Sequence, residues 1–377
     1  MRLAPARVGD AIAAIDTPAL VIDLDAFERN LARMAAFARE RGVRLRPHAK
    51  THKCAAIALQ QIALGAVGVC VQKTGEATAL VAGGVRDLFV SNEVIAPHKL
   101  ARLAALAGEV KLAIAVDSVQ GIERLAAAVR AAGSSIDVLV EVDVGHGRCG
   151  VAPGEAGALA RQVVAHAGLR FAGLHAYHGP AQHFRSPAER ETAIRHAVAV
   201  ALAARAAVTS VGIACPLVTG AGSGTFMLEA ASGVYGEIQP GSYVFLDADY
   251  ARNTADPNAP RFEQALFVKS QVMSRGLAHA VLDAGHKSHA IDSGLPTVWG
   301  RDDLEFTNGG DEHGLLRVRL RLRGREALPT LGETVWLVPG HIDPTVNLHD
   351  HLVALRGGLD GGVVEAVWRV DARGALD

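Results

Sequence analysis

Cysteine, aromatic residues and net charge are all in short supply in this chain. Its 377 residues include four cysteines, and only 5% are Phe, Trp or Tyr. Cys54, Cys70, Cys149 and Cys215 lie far apart with no CxxC pair, so reduced thiols in a cytoplasmic protein are the plain reading. A formal net charge of -1 and a pI near 7.0 leave no electrostatic footprint for nucleic acid or an acidic membrane surface. Long uncharged apolar runs are missing too. Asp10, Asp16 and Asp23 interrupt the N-terminal segment before it reaches signal-peptide length. Nothing approaches a spanning helix of about 20 uncharged apolar residues. Short-period repeats and low-complexity linkers are also absent.

What remains is a globular composition, 50% hydrophobic and 20% charged, long enough for one large domain and a smaller one. From residue 18 to about 245, short apolar or β-branched runs alternate with longer alanine-rich segments. The runs are PALVIDL (18–24), VRLRPH (43–48), VGVCVQ (67–72), DLFVSN (87–92), KLAIAV (111–116), IDVLVEVD (136–143), RFAGLHAYH (170–178) and PLVTG (216–220). Phe27, Leu31, Met34 and Phe37 sit at helical spacing between the first two, and Gly42 stands where a helix-ending glycine would. Eight buried parallel strands joined by helical crossovers predict an α/β fold, a (β/α)8 TIM-type barrel. No GxGxxG follows the first strand, which weakens a dinucleotide-binding sheet. After about residue 260 strand-like segments follow one another without long helices, predicting a C-terminal, mostly antiparallel β domain. The division is 18–250 for the barrel, with 1–17 and 251–377 forming the β domain.

RPHAKTHKC (46–54) concentrates cations at the end of the second run. Strand parity puts Arg44, Arg46, His48 and Lys50 on one face, which in a barrel is the interior. Active sites of such barrels lie at strand C-terminal ends. A desolvated lysine there, beside other cations, is expected to have a lowered pKa and to serve as an amine nucleophile. The competing reading is an exposed basic turn. TGAGSGT (219–225) follows the eighth run; its glycines can turn backbone N–H groups onto an anion, and a short helix can begin after it. QPGSYVFLDADY (239–250) adds the Gly241 N–H and the Ser242 and Tyr243 hydroxyls, and the two clusters together favour phosphate. EVDVGHGRCG (141–150) places Arg148 at the rim, where it can pair with a phenolate or carboxylate. GLHAYHG (173–179) leaves His175, Tyr177 or His178 at the end of strand seven. Near the C-terminus, His341 and Asp343 are two apart and project to the same side of extended backbone, so both can bind one metal. A nitrogen and an oxygen ligand without thiolate suit Mn²⁺, Mg²⁺ or Co²⁺, and two ligands leave open positions for water or substrate. His349, Asp350 and His351 are rival ligands, and DEHG (311–314) is a second acidic–histidine cluster.

In order along the chain, RPHAKTHK, EVDVGHGRCG, GLHAYHG, TGAGSGT, QPGSYVFLDADY, DEHG and HIDPTVNLHDHL resemble the D-threonine aldolase and D-serine dehydratase group. These are fold-type III pyridoxal-phosphate enzymes with an alanine-racemase-like barrel. The resemblance spans nearly the whole chain. It implies that Lys50 forms the Schiff base with pyridoxal 5'-phosphate, with Lys53 supporting. It implies that Arg148 contacts the ring oxygen, and that Gln72 and Tyr177 lie in the cofactor pocket. Thr219, Gly222, Ser223, Gly241, Ser242 and Tyr243 would surround the phosphate. Family members are typically dimers. His-x-Asp at 341 and 343 resembles the aldolase branch, with Mn²⁺ or a similar ion, whereas His-x-Cys marks the dehydratases. The implied activity is cleavage of D-threonine and related β-hydroxy-D-amino acids to glycine and an aldehyde. The alternatives are a dehydratase of D-serine or 3-hydroxyaspartate type, a metal-independent racemase, and a non-catalytic carrier of the cofactor.

Overall fold

Two sheets divide the strands of the computed structural model, which describes residues 4–319 and 327–377. PALVIDL, expected as the first barrel strand, is β1 (Ala19–Asp23), and it belongs to the other sheet. It runs antiparallel to β10 (Leu266–Arg275) and parallel to β16 (His351–Arg356). Ala19 through Ile22 are all buried, so the run is as apolar as any barrel strand and carries no mark of which sheet it joins.

The barrel sheet is parallel. Among the described residues it holds β2 (Arg44–Leu45), β3 (Val69–Val71), β4 (Asp87–Val90), β5 (Lys111–Val116), β6 (Ile136–Glu141), β7 (Leu169–Ala176), β8 (Val218–Gly220) and β9 (Glu237–Ile238). β9 is the strand the sequence reading missed; two residues, one of them an inward glutamate, give no periodicity to detect. The chain beyond β2 joins the two edges of the sheet. The Cys70 N–H donates to the Pro47 carbonyl at 2.8 Å, and His48 bridges Cys70 in parallel.

Alternation along each strand sorts side chains between helices and barrel interior. Val69, Val71, Leu88, Val90, Leu112, Ile114, Val138 and Val140 face the outer helices in one large apolar cluster. Burial of each such side chain contributes roughly 1.5–3 kcal/mol. Cys70, Phe89, Ala115 and Leu139 turn the other way and form a small plug inside. Arg46 also points inward, as parity predicts. It is buried and paired with Asp87 at 2.6 Å and Glu237 at 3.1 Å. Removing one partner of such a buried pair costs about 3–5 kcal/mol.

The outer ring is α1 (Leu24–Arg41), α2 (Ala55–Ala63), α3 (Thr74–Ala82), α4 (Pro97–Leu106), α5 (Val119–Ala132), α6 (Ala156–Val164), α7 (Pro187–Ser210) and the short α8 (Phe226–Ala231). Asp23 caps α1 by accepting from the Ala26 N–H at 3.1 Å, and Gly42 ends it in the left-handed region. α7 alone among the described residues has the length and apolar character of a membrane span. Its apolar stripe, Ile194, Ala197, Ala201, Ala204 and Val208, is buried in the barrel's apolar cluster or beside it.

The second sheet adds β11 (Ala280–Leu282), β12 (Thr297–Val298), β13 (Leu304–Asn308), β14 (Gly314–Val318), β15 (Thr334–Val338) and β17 (Val363–Arg369). β1 against β16 is its parallel pair; every other pairing given for it is antiparallel, as expected for the C-terminal domain. The residues before Pro18 do pack with this domain. Gly9 N–H donates to the Val364 carbonyl at 2.8 Å, and Lys269 Nζ donates to the Ile15 carbonyl at 2.7 Å.

Candidate active site

A cavity of about 310 Å³ opens at the strand C-terminal ends, between the barrel mouth and the β domain. Lys50, Gln72, Arg148, Tyr177, Gly222, Ser223, Gly241, Ser242, His341 and Asp343 all line it. Ten of the twelve residues expected to contact the cofactor or the metal therefore meet in one place. Thr219 and Tyr243 do not line it. Thr219 is buried one strand position too deep, where it donates to Glu237 Oε1 at 2.9 Å. The Tyr243 ring turns into the apolar core against Phe262, and its hydroxyl accepts from Gln61 Nε2 at 3.1 Å. Only its main chain approaches the loop, donating to Ser223 Oγ at 3.0 Å.

Lys50 sits in a single 3-10 turn, Ala49–Thr51, just past β2. Beyond the one-turn α9 (Ala248–Ala251), α10 (Ile342–Val346) packs on that turn and brings Asp343 Oδ2 to 3.5 Å from Lys50 Nζ. The lysine side chain is 39% accessible through the cavity, yet it lies deep enough that burial disfavours its charge. The Asp343 carboxylate, with a smaller contribution from Tyr177, offsets that effect, and the amine is held above its ordinary range. The expected lowering fails because an anion from the other domain faces Lys50. Lys53 lies outside the cavity. It is buried between Glu76, at 3.3 Å, and Asn347 Oδ1, at 2.9 Å.

His48 Nε2 lies 2.9 Å from the Gln72 amide and 3.1 Å from Ser91 Oγ. Burial, reinforced by the Lys50 charge, pushes its imidazole well below the usual range, so it is neutral. Tyr177 is raised, chiefly by burial, and keeps its proton. On the side of the glycine-rich loop, Ala221 adopts a left-handed φ of 72° and turns Gly222 and Ser223 onto the cavity. A Cβ at Gly241 would lie 2.4 Å from Thr51 Oγ1, so only glycine fits there. That threonine hydroxyl lines the cavity, buried and without a partner among the described residues.

His341 and Asp343 share the cavity, but not by the geometry expected from sequence. His341 is extended, whereas Asp343 lies in the first turn of α10. The buried Asp247 carboxylate fixes the corner by accepting from the Ile342 N–H at 3.0 Å. His341 Nδ1 is 2.6 Å from Asp292 Oδ2, so the contact with Asp292 uses one ring nitrogen and leaves Nε2 out of it. Asp343 Oδ1 is buried without a hydrogen-bond partner. The rivals are engaged elsewhere. His349 contacts the Ser288 carbonyl at 2.8 Å, Asp350 pairs with Arg373 at 2.8 Å, and His351 begins β16. In DEHG, Asp311 and Glu312 pair with the surface residue Lys287.

Sequence reasoning missed His183, Gln239, Tyr250 and Asp292. His183 lines the cavity, with Nδ1 2.5 Å from Asp249 Oδ2. His178, weighed beside His175 and Tyr177, accepts from the Ala181 N–H at 3.2 Å and lies off the cavity lining.

A parallel barrel with an amine at its mouth, a glycine-rich loop lining the same cavity and a second, mostly antiparallel domain beside it has the layout of a cofactor-dependent barrel enzyme. The family model for Alanine racemase, N-terminal domain, matches residues 22–249, and the one described as "Putative serine dehydratase domain" matches residues 265–355. The chain belongs to this alanine-racemase-like family. It is 48% identical to a D-threonine aldolase of Arthrobacter sp. over 373 residues, covering 98% of this chain and 96% of the relative. It is 41% identical to a 3-hydroxy-D-aspartate aldolase of Paracoccus denitrificans, covering 98% and 95%. The crystal structure of D-threonine aldolase from Filomicrobium marinum superposes with a TM-score of 0.95 at 49% identity, covering all of both chains. The fold is that of the type III pyridoxal-phosphate enzymes, as the motifs implied.

Proposed function

We propose that this protein is a pyridoxal-phosphate- and divalent-metal-dependent aldolase. It cleaves D-threonine and related β-hydroxy-D-amino acids to glycine and an aldehyde. One observation carries the reading: the amine of Lys50 and the donor pair His341–Asp343 face the same cavity, with Lys50 Nζ 3.5 Å from Asp343 Oδ2. The names of the relatives support it, since both similar sequences are aldolases.

The residues present fit both groups. The glycine-only approach at Gly241 and the unpaired Thr51 hydroxyl suit a phosphate, and Lys50 would hold the cofactor's aldehyde carbon. The unpaired Asp343 Oδ1 and the His341 imidazole anchored by Asp292 suit a hard divalent ion such as Mn²⁺, Mg²⁺ or Co²⁺. Bound pyridoxal phosphate supplies an electron sink, and the metal a Lewis acid for the β-hydroxyl.

The chain must also remove the hydroxyl proton. Four imidazoles line the cavity. His48 is buried and tied up with Gln72 and Ser91, and His341 is the metal ligand. His175 has both ring nitrogens engaged, by Glu141 and Gln239. His183 alone keeps Nε2 available while Asp249 holds Nδ1, so it is the base for this proton. Arg148, which also lines the cavity, would hold the cofactor's ring oxygen or the substrate carboxylate. The reading extends to a cytoplasmic homodimer, which size-exclusion chromatography with light scattering tests.

Product analysis tests the chemistry. Purified protein given D-threonine yields glycine and acetaldehyde on this reading. Formation of 2-oxobutanoate and ammonia instead would make it a dehydratase, and no turnover at all would favour a carrier.

A further inference from the structure

Below the cavity, the barrel interior holds one unbroken row of polar side chains. His175 Nδ1 is 2.9 Å from Glu141 Oε2, and its Nε2 is 3.3 Å from Gln239 Oε1. Gln239 Nε2 donates to Thr219 Oγ1 at 2.7 Å, and Thr219 Oγ1 donates to Glu237 Oε1 at 2.9 Å. Glu237 ends the row between Arg46 Nε, at 3.1 Å, and Arg44 Nη2, at 3.0 Å. Each of the five side chains from Glu141 to Glu237 is buried.

Proton counting fixes the direction of every bond. Glu237, flanked by two guanidinium groups, is ionised and can only accept. The single Thr219 hydroxyl proton is therefore committed to Glu237. Thr219 Oγ1 must then accept from Gln239, which sets the Gln239 amide with its N–H₂ on threonine and its oxygen on His175. A flipped amide would set two acceptors to compete for one hydroxyl proton. With an oxygen facing each ring nitrogen, His175 satisfies both only by donating from both. A neutral ring would leave a lone pair opposed to the Gln239 oxygen, in a site where an unmade bond is costly.

We propose that His175 is held as a doubly protonated imidazolium on the floor of the cofactor cavity. It is a positioning residue: it fixes the Gln239 amide and sets a permanent positive charge beneath the site. The groups facing it agree. Phe89 packs against its ring in a T-shaped contact, with centroids 5.3 Å apart. Burial opposes the charge, but the Glu141 carboxylate prevails and raises His175, while Glu141 itself is lowered. Glu93 is pushed up to about 7, first by burial and then by Glu141, so its protonated form spares Glu141 a second repulsive charge. His48 is neutral, and the remaining cation near Glu141 is Arg148. An electron pair released by bond cleavage is easier for the cofactor to accept with a fixed cation nearby.

Two measurements test this. Nitrogen-15 NMR of histidine-labelled protein, with and without cofactor, reads ring protonation directly. One histidine should keep both ring protons from about pH 6 to about pH 9 and vanish from the spectrum of His175→Gln. In Glu141→Gln, which keeps an acceptor oxygen but loses the countercharge, the same signal should drop to one proton. Finding only singly protonated histidines in the wild-type protein at about pH 7 would overturn the proposal. The second readout is the visible absorption of the holoenzyme against pH. Removing a cation makes a nearby protonated imine harder to deprotonate, so His175→Gln should move the cofactor's titration upward by on the order of one pH unit. An unmoved titration in a His175→Gln protein that still binds the cofactor would contradict the role.

Discussion

The two walls of the cavity are built in opposite ways. The barrel wall is over-determined: Gln72, Gln239, His48 and His175 are each held by two polar partners, and a glycine packs tightly against Thr51. The β-domain wall is sparse. His341 and Asp343 come from one corner and one short helix; Asp343 Oδ1 has no hydrogen-bond partner among the described residues, and the contact of His341 with Asp292 uses Nδ1 and leaves Nε2 out of it. A cofactor that stays bound through every turnover needs fixed geometry. A metal that must take up and release a substrate hydroxyl needs open positions. The difference predicts that the two walls fail separately.

Lys50→Ala breaks the barrel wall at its centre. It should abolish turnover, by at least about 10⁴-fold, together with the visible absorption of bound cofactor, while metal binding measured by calorimetry persists. Retained absorption would move the anchoring amine elsewhere, and Lys53, sealed between Glu76 and Asn347, is poorly placed to take over. His341→Ala breaks the other wall. Activity should fall by on the order of 10³-fold with the absorption spectrum unchanged; a fully active variant would dismiss the metal. Asp292→Ala leaves both ligands but frees the imidazole to rotate, and should weaken metal affinity about 10–100-fold, with activity restored by excess Mn²⁺. Gly241→Ala, whose Cβ would meet Thr51 Oγ1, should weaken cofactor binding on the order of tenfold without altering metal affinity. The smallest effect is expected far from either wall. Glu263→Gln loses the Arg29 and Arg33 pairs at the surface and should lower stability by less than about 1 kcal/mol, with activity intact.

What the sequence disclosed about these walls followed from periodicity and punctuation. Inward parity at Arg46 and His48, glycines at 222 and 241, and the His341–Asp343 spacing are local signals, and all of these residues except the deep Arg46 reach the cavity. The misassignments have physical causes. β1 reads as a barrel strand because a fully buried strand looks alike in either sheet, and β9 gives no signal because two residues have no period. Thr219 and Tyr243 lie beside residues that line the cavity but turn inward or into the core, a choice made by packing partners far away in sequence. The Lys50 amine is raised and not lowered because Asp343 comes from the other domain. His183 and Asp292 carry no motif; each acquires its place through a contact formed only on folding, with Asp249 and His341 respectively.

The separateness of the walls is also the most direct test of the whole account. Holoenzyme stripped of metal by a chelator should keep its visible absorption, produce no glycine from D-threonine, and regain turnover when Mn²⁺ is returned. Undiminished glycine production by the stripped enzyme would contradict it.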